Sequence, residues 1–161
     1  MTTSTVIRPA TAREAPAIAD LVERAYGPWV PIVGLRPAPM DADYAALIAE
    51  GDVFVAGDSE VAGVLVLRPD GDALMVENVA VDPARQGDGI GRALLDFASE
   101  QASQRAVDEL RLYTHERMTS NIELYKRLGW EEYDRLEQHG FARVFMRKRV
   151  NSEGSRKKSP G

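Results

Sequence analysis

Residues 74–95 read LMVENVAVDPARQGDGIGRALL, and the fold turns on this stretch. Leu74, Val76, Val79, Ala80 and Val81 form an apolar, β-branched run that reads as a strand, closed by Asp82 and Pro83. Gln86, Gly87, Asp88, Gly89, Ile90 and Gly91 follow as a glycine-rich turn. Ala93, Leu94, Leu95, Phe97 and Ala98 then recur at helical spacing. Such a turn lets backbone N–H groups approach a ligand with no Cβ in the way, and a helix N-terminus favours anionic phosphate. The stretch predicts a pyrophosphate cradle. On the glycines alone, a bare strand–helix turn without a ligand stays open as the alternative.

Spacing narrows the choice of cradle. A dinucleotide fingerprint needs G-x-G-x-x-G, but Arg92 stands where the third glycine belongs. A P-loop needs Gly-Lys-Ser/Thr at the helix start, and the chain has no such triplet. What remains is Q-x-x-G-x-G, carried by Gln86, Gly89 and Gly91. A second motif lies at residues 121–130, NIELYKRLGW. Ile122, Leu124, Tyr125 and Leu128 form the apolar stripe of a short helix, with Gly129 as its C′ terminator. Taken alone, Tyr125 also fits an ordinary core tyrosine. With the preceding V-A-V-D-P, the first motif resembles the acetyl-CoA motif of the GNAT superfamily of N-acetyltransferases. The second resembles that family's N-x-x-L-Y-x-x-L-G-F, with Trp130 in the final aromatic position. The two stand in the family's order, separated by a helix and a strand. The resemblance runs over residues 7–148, and the N-terminal third matches only in its pattern of elements.

The resemblance implies an α/β (α+β) fold with a mixed, twisted central sheet flanked by helices, in the order βααβββαβαββ. It implies an acyltransferase that moves an acetyl group from acetyl-CoA to a primary amine by direct attack in a ternary complex, without a metal. Backbone groups of Val79, Ala80 and Val81 would bond the pantetheine, and an N–H at Ala80 or Val79 would polarise the thioester carbonyl. Gln86, Gly87, Asp88, Gly89, Ile90, Gly91 and Arg92 would hold the pyrophosphate. Tyr125 would act as general acid, its phenol (pKa about 10) donating a proton to the departing thiolate (about 8.5) as charge develops on sulfur. Asn121, one turn earlier on the same face, has two readings: a contact to the cofactor, or a residue at the helix start.

The general base is open among several groups. Glu77 is the candidate because it is a carboxylate inside an otherwise apolar strand, where burial would raise its pKa; on an alternating strand it could equally face solvent. His115 and Glu116 near the end of the next strand, or an ordered water, are alternatives. Acceptor recognition is assigned to Tyr26, Trp29 and Tyr44, with Val30, Ile32, Met40, Tyr133 and Phe141 around them. The same aromatic residues could pack as core or as a subunit contact. Two other classes are weighed against an enzyme. One is a GNAT-like acyl-CoA binding or sensing module without turnover. The other is a nucleotide-binding domain of another fold, disfavoured by the missing glycine and the missing Walker lysine.

The remaining elements follow from periodicity and turn residues. Residues 5–8 read as a first strand. Thr11 caps a helix to about Tyr26, with Glu14 three residues on as in a capping box. Residues 27–40, GPWVPIVGLRPAPM, carry Pro28, Pro31, Pro37 and Pro39 and are expected to be irregular. Residues 41–50 read as a helix with Tyr44, Leu47 and Ile48 inward. Residues 52–56 and 61–68 read as strands joined at Gly57-Asp58-Ser59-Glu60. After the motif strand come a helix at 91–104, a strand at 109–114, a helix at 120–128, and strands near 131–135 and 142–148.

At 161 residues, with 44% hydrophobic and 28% charged side chains, the chain suits one globular domain at residues 1–150. With no cysteine, disulfides and cysteine catalysis are excluded, and His115 and His139 have no metal-site spacing. The start, MTTSTVIRP, lacks a signal-peptide pattern and no long apolar run occurs, so a cytoplasmic protein without a membrane span is expected. Net charge is −5, but residues 147–161 carry six basic residues against Glu153, leaving −10 on the rest. That body argues against a nucleic-acid groove and could attract a cationic amine, or simply confer solubility. Residues 151–161 read as a disordered basic tail. A homodimer stays open.

Overall fold

The ends of the first helix are set by side-chain chemistry. Glu14 accepts the Thr11 backbone N–H at 2.9 Å, and a 3-10 turn at Ala12–Glu14 leads into α1 (Ala15–Tyr26). Pro16 falls in the first turn, where a missing N–H leaves no bond unmade. Arg8 on β1 (Ile7–Pro9) grips the same carboxylate through two bonds, 3.0 and 2.7 Å. That pairing chiefly holds the Glu14 carboxyl down at about 2.

This computed structural model describes residues 5–138 and 140–150. The expected tail at 151–161 and His139 lie outside the described residues. Residues 27–40 correct the expectation of irregularity. They wind into a 3-10 turn at Gly27–Trp29, the single turn α2 (Val30–Val33) and a second 3-10 turn at Ala38–Asp41. Each turn has a proline at its first or second position, where the fixed φ suits a helix start and the absent N–H is harmless. Prolines that forbid a long helix here start three short ones. Helix α3 (Tyr44–Glu50) begins under Asp43, whose side chain accepts the Ala46 N–H at 3.1 Å.

The strands are β2 (Val53–Ala56), β3 (Gly63–Asp70), β4 (Ala73–Val81), β5 (Glu109–His115), β6 (Glu131–Gln138) and β7 (Phe141–Arg149). Helix α4 (Ile90–Gln104) connects β4 to β5, and α5 (Thr119–Arg127) connects β5 to β6. The hydrogen-bonded order is β1-β2-β3-β4-β5-β7-β6. The β4–β5 pair is parallel, with Leu74, Met75 and Val76 opposite Leu110, Arg111 and Leu112. A parallel neighbour requires a crossover, and α4 is that crossover. The expected order βααβββαβαββ holds, with α2 as one added turn. Among the described residues no helix is long and apolar enough to cross a membrane.

Contacts divide the chain into two units, and β3, β4 and α4 each contribute to both. In the first unit (1–67 and 78–97), Ile18, Leu21, Val22 and Tyr44 pack on Val53, Val55, Val64, Val66 and Ala80. The alternate face of β2 carries Phe54, whose ring lies 4.9 Å from that of Phe97. In the second unit (68–77 and 98–161), Leu74, Val76, Leu110, Leu112, Val144 and Met146 are buried by strand alternation.

Gly63 marks how closely α4 meets β3. A Cβ there would stand 2.9 Å from Ile90 Cγ2, 3.0 Å from Leu94 Cδ1 and 3.2 Å from the Ala80 carbonyl oxygen. Overpacking of this kind costs roughly 1–3 kcal/mol, and each kcal/mol lowers Tm by about 2–4 °C in a chain of this size. Gly63→Val should therefore lower the melting temperature by several degrees in calorimetry. An unchanged Tm would show that the α4 start yields freely.

Candidate functional site

In the first unit, β4 ends in Val79, Ala80 and Val81, half-buried, buried and half-buried in turn. Asp82 then fixes the departing chain. Its N–H donates to the Ala62 carbonyl at 2.9 Å, and its carboxylate accepts the Ala84 N–H and Arg24 Nη2, both at 3.0 Å. The Ala84 bond, with Arg24 behind it, holds that carboxyl below the usual range. A 3-10 turn at Pro83–Arg85 follows, and Gln86, Gly87, Asp88 and Gly89 are exposed.

The loop takes its shape from two glycines. Gly87 and Gly89 have φ of +94° and +79°, the left-handed region that side chains rarely adopt. A Cβ at either would meet nothing within 4 Å, so the space over the loop is open. The α4 ladder starts with the Ala93 N–H on the Gly89 carbonyl at 3.0 Å. The N–H groups of Ile90, Gly91 and Arg92 precede that ladder and have no partner within it. Open space above left-handed glycines, at the N-terminus of a 15-residue helix, fits a pyrophosphate. Asp88 brings a negative charge into the loop, and Arg85 Nε pairs it at 3.0 Å. Arg92 is exposed.

The aromatic residues assigned to the acceptor belong to the same unit. The Tyr26 hydroxyl donates to Asn78 Oδ1 at 2.7 Å, Asn78 Nδ2 donates to the Tyr44 hydroxyl at 3.0 Å, and that hydroxyl donates to the Pro39 carbonyl at 2.7 Å. Tyr26 and Tyr44 are thus joined through one buried amide. Tyr44 is 4% exposed and packs in the core cluster, whereas Tyr26 and Trp29 are half-buried. The sequence reading passed over Asn78. Its signal was a polar side chain at the inward parity of β4, in line with Leu74, Val76 and Ala80.

In the second unit, Tyr125 is buried on α5, its ring 5.9 Å from that of Trp130. The turn that places them is a Schellman closure. The Trp130 N–H reaches the Tyr125 carbonyl at 2.9 Å and the Gly129 N–H reaches that of Lys126 at 3.1 Å, with Gly129 at φ +99°. Burial pushes the Tyr125 phenol up to about 12. Among the described residues no hydrogen bond to its hydroxyl forms. Asn121 is half-buried in the first turn of α5, its N–H on the Met118 carbonyl at 3.0 Å; the cap position itself is Met118.

Glu77 departs from the expectation of a carboxylate enclosed by apolar neighbours. Its side chain is 32% exposed and its Oε1 accepts Arg68 Nε at 2.8 Å. Alternation puts it opposite in direction to Val76 and Asn78, away from the core. His115 closes β5, and its Nδ1 accepts the Arg117 N–H at 3.0 Å. Burial pushes its pKa below the ordinary value, so the ring is neutral at pH 7. Glu116 is exposed, 3.7 Å from Arg135.

The family model of the acetyltransferase (GNAT) domain matches residues 49–132, more than half of the chain. A 56-residue segment is 39% identical to the mycothiol acetyltransferase of Streptosporangium roseum, covering 35% of this chain and 17% of that protein. A 61-residue segment is 38% identical to the [ribosomal protein bS18]-alanine N-acetyltransferase of Escherichia coli K12, covering 38% of this chain and 41% of that protein. These matches span less than half the length of either relative. The fold is shared with the PaiA N-acetyltransferase of Thermoplasma acidophilum, solved with coenzyme A, at a TM-score of 0.74 and 16% identity. That likeness covers 91% of this chain and 99% of the other. The chain belongs to the GNAT acetyltransferase family.

Proposed function

We propose that this protein transfers an acetyl group from acetyl-CoA to a primary amine, by direct attack while both are bound. The observation that carries the reading is the left-handed Gly87/Gly89 loop, open above and leading into the N-terminus of α4. When bound, acetyl-CoA supplies an activated acyl group as a thioester. The chain's own residues do the rest. Backbone N–H groups of Ile90, Gly91 and Arg92 hold the pyrophosphate, assisted by the helix field. Backbone groups of Val79, Ala80 and Val81 bond the pantetheine arm, and one N–H at Val79 or Ala80 polarises the acyl carbonyl.

Tyr125 presents its phenol O–H to the leaving sulfur. With a pKa of about 12 it is protonated throughout the working range. Glu77 receives the amine's proton, directly or through water, and its Arg68 partner fixes the carboxylate in place. A lysine-like amine ionises near 10.4, so this proton must leave before or during attack. His115, neutral at pH 7, is the alternative acceptor.

The cradle is tested by Gly89→Glu, which brings strain and a negative charge into the pyrophosphate path. Gly71→Glu is the matched control, since Gly71 also has a left-handed φ, +63°, with open space around it. Calorimetry should show at least about a tenfold loss of acetyl-CoA affinity for the first, roughly 1.4 kcal/mol, and none for the second. Equal affinities would remove the cradle.

Tyr125→Phe should lower kcat by about 10- to 1000-fold while acetyl-CoA binding is nearly kept, because the lost O–H acts only as charge develops on sulfur. The sign of its pH dependence follows from the raised pKa. The phenol loses its proton only near pH 12, so between pH 6 and 10 it should add no falling limb to the rate. A falling limb in that window that Tyr125→Phe abolishes would show the hydroxyl ionising at ordinary values.

Glu77→Gln should reduce kcat/KM while acetyl-CoA affinity is kept, because the amine's proton then has no carboxylate to receive it. Retention of the rate would pass the role to His115. Acetyl-CoA binding without turnover of any amine would favour an acyl-CoA sensing module.

A further inference from the structure

We infer that Arg143 is the anchor for a carboxylate carried by the acceptor, so that the substrate class is an amine with a carboxylate several bonds from its nitrogen. This rests on the acetyltransferase reading above and adds the acceptor's second recognition group.

The second unit lays these groups out on one sheet face. β5 and β7 pair with Tyr113 opposite Phe145 and His115 opposite Arg143, while their alternates Leu112, Thr114, Val144 and Met146 are buried. Glu77 follows Val76, which stands opposite Leu112, so alternation puts Glu77 on the face of Tyr113. On that face the Arg143 guanidinium carbon lies 4.3 Å from the Tyr113 ring centroid and 5.5 Å from that of Phe141. Its Nη1 donates to Gln138 Oε1 at 3.0 Å.

What distinguishes Arg143 is its company. Of the three arginines of this unit that lie over aromatic rings, Arg111 and Arg147 each hold a carboxylate within 4 Å. Among the described residues Arg143 has none. Its partners are a neutral amide and two aromatic rings, and it is half-buried. A guanidinium has five donors in a planar fork, and a carboxylate is the anion whose geometry satisfies that fork. The aromatic rings hold the group in place and strip water from its faces, which strengthens any bond to an anion. Burial pushes the Tyr113 phenol above its ordinary value, while Arg143 lowers it and Glu77 raises it, so one hydroxyl lies in the field of both charges.

Distance sets the ligand's length. β4 and β7 flank β5, and Glu77 is level with Tyr113 while Arg143 is level with His115, so the two backbones are two strand spacings apart and offset by two residues, roughly 12 Å. Side chains close part of that gap, but an amine and a carboxylate on one carbon do not fill the rest. An ω-amino acid does, as does the amino end of a short peptide with an acidic side chain or terminus.

The test compares 4-aminobutyrate, 5-aminopentanoate and 6-aminohexanoate with alkylamines of equal length, in the full chain with acetyl-CoA. The carboxylate series should be preferred in kcat/KM by about 10- to 100-fold, the value of a charge-assisted bond. Arg143→Gln should abolish the preference through KM, leaving alkylamine turnover and acetyl-CoA affinity within about twofold. Arg143→Lys should restore part of it, since the charge remains and the fork is lost. Acetyl-CoA affinity and circular dichroism show that each variant is folded. Turnover of alkylamines and amino acids alike, or an equal loss for both series in Arg143→Gln, overturns the anchor and leaves the acetyltransferase reading standing. Failure of the wild-type chain to bind acetyl-CoA overturns both.

Discussion

The two-residue period of β4 is the constraint to which the candidate site answers. Leu74, Val76, Asn78 and Ala80 are buried at one parity; Met75, Glu77, Val79 and Val81 are half-buried at the other. A polar side chain at the buried parity must find partners or cost about 1–3 kcal/mol. Asn78 finds them in the hydroxyls of Tyr26 and Tyr44, one accepting from it and one donating to it. The bond pattern ties the last residue of α1 and the first residue of α3 to one point of β4, immediately before Val79. The opposite parity leaves Glu77 free to meet Arg68. A slip of one residue in β4 would bury Glu77 and expose Asn78 together.

Much of this was legible in the sequence because the signals were local. The strand–loop–helix motif, the capping pair Thr11 and Glu14, and Gly129 as a helix terminator each depend on neighbours within a few residues, and each element formed within a few residues of its expected ends. Residues 27–40 were misread because prolines were weighed as breakers of one helix and not as starters of short ones. The hydrogen bonds through Asn78 span 52 and 34 residues, so no window of sequence contains them. The ion pair of Glu77 was hidden for another reason. Arg68 is only nine residues away, but it reaches Glu77 across a hairpin whose register the sequence does not print.

Burial of Tyr125 bears on the chemistry in a way that its ordinary pKa does not. A phenol is a weaker acid than a thiol already at their ordinary values of about 10 and 8.5, and a phenol at about 12 widens that gap. The cause of the shift changes that comparison. Desolvation penalises whichever group is charged, so a thiolate held beside the same hydroxyl would be raised as well. The intrinsic difference between phenol and thiol then sets the balance, and a hydrogen bond to developing negative sulfur counts for more than it would in water. A buried tyrosine serves such a step by staying protonated.

Charge bears also on the proposed pyrophosphate seat, which lies in a chain with a net charge of −5. Binding of that kind draws on backbone N–H groups and the end of a helix, not on the total charge. What matters is the field within a Debye length, about 8 Å at physiological salt. Two acids of the loop are paired: Asp88 with Arg85, and Asp82 with Arg24 and the Ala84 N–H. Asp82 in turn donates its backbone N–H to the Ala62 carbonyl, which holds the loop to the residue before β3. With these two acids paired, the exposed Arg92 and the N–H groups at the start of α4 are what the open side of the loop would offer an anion.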